Sequence, residues 1–346
     1  MASPRAVPAR SSPTTLRSPA VDGDEAPPTQ HYFDSRSVVQ ADNLDDALPA
    51  DRNDTFTEHL VGRGGCPECT RRTGRTIRAW PKPTPTTNGA PMLLDKKTAI
   101  VYGAAGAIGS AVARAYAREG ADVHLVGRTQ GTLEQVAQSI RADGGAAHIT
   151  CLDVLDRAVV EKHASDVAAA NGGIDACFNA TSNDDLQGIP LTQMQPDDFL
   201  RPVIKAVTAH FNIATAAGRQ MTRRGHGVIL VMAGGREAIP RLGGSHVAWA
   251  ALAGLCRQLA AEFGPYGVRV NWLLSPGSPA YNEHDDPRRH TTGNSDETAA
   301  QGTEGLLLRH QPSYEEVANI AVFAASDWAR TITAAEINFT GGAVID

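Results

Sequence analysis

The sequence predicts an α/β protein, a doubly wound seven-stranded parallel sheet with helices on both faces, preceded by a disordered N-terminal extension. Three observations carry this. From residue 97 onward short apolar runs alternate with segments of helical periodicity, an order that requires a parallel sheet covered on both sides. A glycine-rich turn stands between the first apolar run and the first helical segment. Residues 1–91 lack sustained apolar periodicity and hold 12 of the 21 prolines.

Thr98 to Tyr102, bounded by Gly103, reads as the first strand, and the Ala-rich segment to Gly120 as the first helix. Strands are expected at Ala121 to Val126, Ala147 to Cys151 and Ile174 to Phe178, with helices at Leu133 to Ala142 and Ala158 to Ala170 between them. A long helix from about Phe199 to Thr222 follows, then a strand at Gly227 to Met232, a helix from about Gly244 to Phe263 and a strand at Val268 to Leu274. A helix at Tyr314 to Ser326 and a strand at Ala335 to Phe339 complete a domain over residues 92–346.

The extension carries 11 Lys and Arg against 11 Asp and Glu, so the whole net charge of −6 belongs to residues 92–346. Without an apolar face it cannot offset a backbone ordering cost of roughly 1 to 2 kcal/mol per residue, and it is expected to be disordered. Met92 stands directly before Leu93-Leu94-Asp95-Lys96-Lys97 and the first strand, so an upstream extension from a misassigned start codon is the alternative origin of this Pro-rich segment. Its Cys66 and Cys69 have the spacing of half a zinc knuckle, but a zinc site needs about four ligands and no second pair follows. No metal is expected.

Cys151, Cys177 and Cys256 lie in apolar stretches and are expected to be small core residues of a reducing, cytoplasmic chain. The acidic balance argues against nucleic acid as a partner. No run reaches the roughly 18 to 20 consecutive apolar residues that span a bilayer, so no membrane partner is expected.

The glycine turn, Gly103-Ala-Ala-Gly106-Ala-Ile108-Gly109, sits in a strand-turn-helix context. Glycine there permits a tight turn and lets backbone approach a pyrophosphate, whose charge meets free N–H groups at the helix N-terminus. This is the phosphate site of a Rossmann domain. At the end of the second strand, where an NAD site places a carboxylate against the ribose, the sequence reads Gly127-Arg128-Thr129. The guanidinium of Arg128 suits a 2′-phosphate, which favours NADP over NAD. The alternative for Arg128 is a solvated loop cation.

Further landmarks follow: Asp153-Val154 after the third strand, Asn179-Ala180 after the fourth, Glu262 to Asn271, and Ser275-Pro276-Gly277 after the sixth. Near the C-terminus come Glu316-Val-Ala, Ala325-Ser-Asp, Ile337-Asn and Gly341-Gly342. In this order and spacing the chain from about residue 94 to 346 resembles the short-chain dehydrogenase/reductase family in its single-domain form. The glycine turn departs slightly, since Ala107 takes the place of a usual glycine. The resemblance implies an oxidoreductase acting on a carbonyl or hydroxyl group of a small molecule. It implies cofactor contacts from Gly103, Gly106, Ile108, Gly109, Arg128, Thr129, Asp153, Val154, Asn179, Ala180, Pro276 and Gly277, and a homodimer or homotetramer built on the two long helices.

The catalytic positions depart further. In the family a Tyr transfers the proton, a Lys four residues on lowers its pKa, a Ser binds the substrate oxygen and an Asn anchors a water. Spacing back from Glu262 places these at Ser245, Trp249, Ala233 or Gly234, and Ala206, so all four functional groups are missing or replaced. A serine hydroxyl is a poor acid or base near neutral pH, and loss of a matched general acid forfeits about 10²- to 10⁴-fold. Ser245 and His246, at the start of the helix expected to face the nicotinamide, are the candidates for an altered proton relay. The alternative is a nucleotide-binding protein on the same fold without redox turnover. Residues 278–311 replace the family's substrate loop, and Glu283, His284, Asp285 and Asp286 are read there as a solvated lid, since adjacent ligands in a loop lack a rigid scaffold.

Overall fold

The computed structural model describes residues 92–236, 239–275 and 306–345. The extension and residues 278–305 of the lid expected over 278–311 lie outside the described residues, as do Pro276 and Gly277.

Seven strands form one parallel sheet: β1 (Thr98–Tyr102), β2 (Asp122–Gly127), β3 (Ala146–Cys151), β4 (Ala176–Asn179), β5 (Gly227–Ala233), β6 (Val268–Leu274) and β7 (Glu336–Asn338). Their order is β3-β2-β1-β4-β5-β6-β7, which reverses direction between β1 and β4. Among the described residues six α-helices connect them: α1 (Ala107–Arg118), α2 (Gln130–Ala142), α3 (Arg157–Asn171), α4 (Pro196–Arg224), α5 (Ser245–Phe263) and α6 (Tyr314–Ala325). The doubly wound Rossmann fold expected from the sequence is thus present.

All five residues of β1 are buried, as a central strand covered on both faces requires. Alternation divides its side chains between two cores. Ala99 and Val101 pack with Leu125, Phe178 and Tyr116 beneath α1, α2 and α6. Ile100 and Tyr102 pack with Ile213, Met221 and Trp272 beneath α3, α4 and α5. The sheet is closed at β7 by buried Asn271, whose Nδ2 donates to Ile332 O at 2.9 Å and whose Oδ1 accepts from Ala335 N at 3.1 Å.

Two expectations need correction. Helix α4 begins at Pro196, not near Phe199, because proline is tolerated at the first helical position and Asp197 and Asp198 complement the helix dipole. Cys177 and Cys256 are buried as expected, but Cys151 is exposed. It ends β3, an edge strand that keeps only Ala147 fully inside. Among the described residues no helix is long and apolar enough to cross a membrane.

Candidate functional site

Both features that build the site lie at the C-terminal ends of the central strands, where the sheet order reverses and a crevice opens. The chain leaves β1 through Gly103, whose φ of +76° is a left-handed conformation. A Cβ added at Gly103 would lie 2.5 Å from Ala180 O, and one at Gly109 would lie 2.2 Å from Gly103 O. These two glycines are compelled by backbone contact. A Cβ at Gly106 would meet only Gly103 O at 3.4 Å. Ala107 is exposed, so its methyl is accommodated where the family usually has glycine. Helix α1 starts without a side-chain cap and without an acidic residue in its first turn, which leaves its N–H groups open to an anion.

A cavity of about 800 Å³ opens over this turn. It brings together Gly103, Gly106, Arg128, Thr129, Asp153, Val154 and Ala180 from four different turns, all named in advance by the sequence. Arg128 is exposed and has no ion-pair partner among the described residues. Asp153 Oδ1 accepts from Leu155 N at 3.0 Å, and Asn212 Nδ2 of α4 donates to Val154 O and Leu155 O at 3.0 and 3.3 Å, so α4 holds this turn in place. Gly109 and Asn179 do not line the cavity. Gly109 acts through close approach, and buried Asn179 supports the floor, its Oδ1 accepting from Thr181 N at 3.0 Å and Thr181 Oγ1 at 2.8 Å.

Beneath Asn179 the polar chain continues into the core. Asn179 Nδ2 stands 3.4 Å from His210 Nδ1, and His210 Nε2 stands 3.5 Å from Cys256 Sγ. Full burial lowers the His210 pKa to about 4, so the ring is neutral at ordinary pH. A neutral ring that accepts from Asn179 at Nδ1 carries its proton on Nε2, toward the sulfur.

A second cavity of about 530 Å³ shares Ala180, Thr181 and Ser182 with the first. Ile108, Met232, Ile239, Leu242, Trp249 and Val344 give it apolar walls, and Asp185 and Gln187 bring polar groups. Both come from the turn after β4, where Asp184 takes a left-handed φ of +53° and its N–H donates to Ser182 Oγ at 3.2 Å. Asp184 pairs with Lys205 of α4, and Lys205 lines the first cavity. Asp185 accepts a hydrogen bond from Ser245 Oγ at 2.7 Å and another from Gln187 Nε2.

The two sequence candidates for proton transfer are therefore placed differently from expectation. Ser245 is fully buried and lines neither cavity; its hydroxyl is directed to Asp185. His246 is half-buried and also lines neither, with a buried Nδ1 that has no hydrogen-bond partner among the described residues. Among the described residues the ionisable group that does face the second cavity is Asp185, which the sequence reading missed. Its signal was the acidic pair Asp184-Asp185 shortly after Asn179-Ala180.

Gly234, one of the two positions where spacing expects the family's serine, and Trp249, where it expects the lysine, meet in one contact. A Cβ at Gly234 would lie 2.4 Å from the Trp249 indole. Gly234 and Trp249 are thus a matched pair, and no side chain could stand at 234 without moving the indole.

Comparison with known proteins agrees with this architecture. The family model described as Enoyl-(Acyl carrier protein) reductase matches residues 103–344. The chain is 32% identical to a D-threitol dehydrogenase of Mycolicibacterium smegmatis over 261 residues, covering 73% of this chain and 94% of that protein. It is 29% identical over 266 residues to an L-rhamnose 1-dehydrogenase (NAD(P)(+)) of Azotobacter vinelandii, covering 74% and 99%. Among solved structures, a dehydrogenase/reductase from Sinorhizobium meliloti superposes with a TM-score of 0.63 at 26% identity, covering 74% of this chain and 98% of that one.

Two outcomes follow from the packing. Gly234→Ala should destabilise the fold by about 1–3 kcal/mol through overpacking, and Trp249→Ala should relieve that cost, so urea unfolding of the double variant should show clear non-additivity. His210 should also make stability pH-dependent. Its folded pKa lies below the ordinary 6.5, so the unfolded chain binds the extra proton, and stability present above pH 6.5 is lost as pH falls toward 4. Thermal unfolding between these limits should lose up to about 3 kcal/mol from this group, and His210→Asn should flatten that part of the profile.

Proposed function

The chain belongs to the short-chain dehydrogenase/reductase family, and from that premise we propose that it is an NADP-dependent oxidoreductase interconverting a hydroxyl and a carbonyl group on a small molecule. The observation that carries this is the adjoining of the two cavities at Ala180 to Ser182, a glycine-framed cradle on one side and the Asp185 carboxylate on the other.

The residues present fit a nicotinamide dinucleotide, because the uncapped start of α1, with no acidic residue in its first turn, stands beside the glycine-framed cavity. Gly103, Gly106 and the start of α1 would hold the pyrophosphate, with Asp153 and Val154 toward the adenine and Arg128 and Thr129 toward a 2′-phosphate. Ile108, Asn179 and Ala180 support the nicotinamide side, to which Pro276 and Gly277 also belong in this proposal. The bound cofactor supplies the hydride acceptor or donor.

Asp185 takes the place of the family's tyrosine in proton transfer. In the oxidation direction its carboxylate accepts the hydroxyl proton, and the hydrogen bonds from Ser245 and Gln187 fix its orientation. Ser245 is a positioning residue in this scheme, and His246 stays outside it. The apolar walls around Trp249 and Met232 favour a substrate less polar than the sugars and polyols in the relatives' names. Exposed Leu200 and Phe211 on α4 and Val247 on α5 support the homodimer or homotetramer, and a cytoplasmic location accords with the free thiols.

A second reading, nucleotide binding without turnover, is favoured by the Gly234–Trp249 contact, which fills two catalytic positions with apolar packing.

Titration with both reduced cofactors separates the cofactor assignments. Arg128→Asp should weaken NADPH binding about 10- to 100-fold, the size expected for a charge-assisted phosphate contact, with a much smaller effect on NADH. Equal effects on the two cofactors would refute the phosphate role. In a screen of alcohol and carbonyl substrates Asp185→Asn should lower kcat about 10²- to 10⁴-fold with cofactor affinity kept. Ser245→Ala should cost less and shift the pH profile of kcat. Cofactor binding with no turnover of any substrate by the wild type would instead support the second reading.

A further inference from the structure

A polar cluster unrelated to the cofactor cleft stands at the β3 edge of the sheet. His124 of β2 and His148 of β3 are directly paired in register. Asp122 precedes His124 by two residues, so all three side chains belong to one face. The imidazoles stack with centroids 4.7 Å apart and 21° between their planes. One ligand atom of each residue, a ring nitrogen or a carboxylate oxygen, lies within 4.8 Å of the other two. His148 Nε2 stands 2.9 Å from Asp122 Oδ1, yet off the line of a hydrogen bond, and that buried oxygen has no hydrogen-bond partner. Helix α3 covers the cluster: Asn171 Nδ2 meets His124 Nε2 at 3.2 Å. From the same helix His163, 8% exposed, lines one hollow with His124, and its Nε2 is also without a partner. A buried polar atom left unpaired is costly, and here one belongs to the cluster and another to the helix that covers it.

We propose that Asp122, His124 and His148 bind a divalent transition metal of the zinc class, with water in the remaining position, as a clip between β2 and β3. Two imidazoles and a carboxylate are a ligand set that Zn²⁺ takes, with bonds of about 2.0–2.1 Å. Tetrahedral bonds of that length hold ligand atoms about 3.4 Å apart, so the cluster tightens on binding. The side chain of His148 is 55% exposed and free to turn inward. The ion takes up the Asp122 oxygen that has no donor and occupies the ground between it and His148 Nε2. The scaffold is a pair of hydrogen-bonded strands that carries all three ligands and fixes their spacing before the ion arrives. Asp122 is the first residue of β2, whereas the cleft lies at the opposite ends of the strands, so the clip acts on stability and not on the reaction.

The test is calorimetric titration of Zn²⁺ into the tag-free full chain carrying Cys66→Ser and Cys69→Ser, which removes the other zinc-type ligand pair, with thermal unfolding read in parallel. One ion per chain should bind and raise Tm. His148→Ala should weaken binding at least tenfold and remove the rise in Tm, with an unchanged circular dichroism spectrum because the side chain is half-exposed on an edge strand. Asp122→Asn should do the same, and His148→Gln serves as a second variant where alanine impairs folding. Co²⁺ in place of Zn²⁺ should give a visible spectrum of nitrogen and oxygen ligation without thiolate charge transfer. Absence of binding, or binding that His148→Ala and His148→Gln leave unchanged, would overturn the proposal.

Discussion

The site rests on a backbone contact, the approach of the turn after β1 to the turn after β4. Gly103 can lie against Ala180 O only because it has no Cβ, and Gly109 can lie against Gly103 O for the same reason. These approaches set the start of α1 over the sheet and bring the turns after β2 and β3 to the rim of the same cavity. The turn after β4 is thereby fixed from one side. It then reaches the second cavity with Asp185 and the first with Asp184 and its partner Lys205.

The glycine-framed cavity was legible in the sequence because its determinants are local. A glycine that must turn left-handed, a helix without an acidic first turn and a cation at a strand end are each visible within a few residues. Seven of the expected contacts line one cavity as a result. The second cavity was not legible, because its geometry is made by residues far apart in the chain. Asp185 and Ser245 are 60 positions apart, and only the fold shows that the serine hydroxyl is spent on that carboxylate. Likewise Gly234 and Trp249 read separately as losses, whereas together they are one packing contact. Cys151 was misjudged for a related reason: an apolar neighbourhood in sequence does not reveal which strand lies at the edge of the sheet. The histidines of β2 and β3 were passed over because a strand pattern counts apolar positions and does not see which polar residues face each other across the ladder.

The positions at which spacing expects the family's four catalytic groups are held by packing or by a hydrogen bond. Ala206 is buried in the core beneath α4 and α5, and one turn further on His210 joins Asn179 to Cys256. The Trp249 indole covers Gly234, and Ser245 is satisfied by Asp185. Each replacement is compensated by a neighbour. The polar groups of the region have been redistributed to the turn after β4, with its left-handed Asp184 as the point where the chain separates one carboxylate from the next.

Helix α4 has a consequence that reaches beyond any single contact. It carries Lys205 to the first cavity, His210 beneath Asn179 and Asn212 to the turn after β3, three attachments within little more than two turns. Each residue added to a helix rotates everything beyond it by about 100°. An insertion or deletion between Lys205 and Asn212 would therefore turn the later attachments away from their partners while leaving the helix itself intact. The length of this stretch is thereby as tightly specified as the spacing of the glycines.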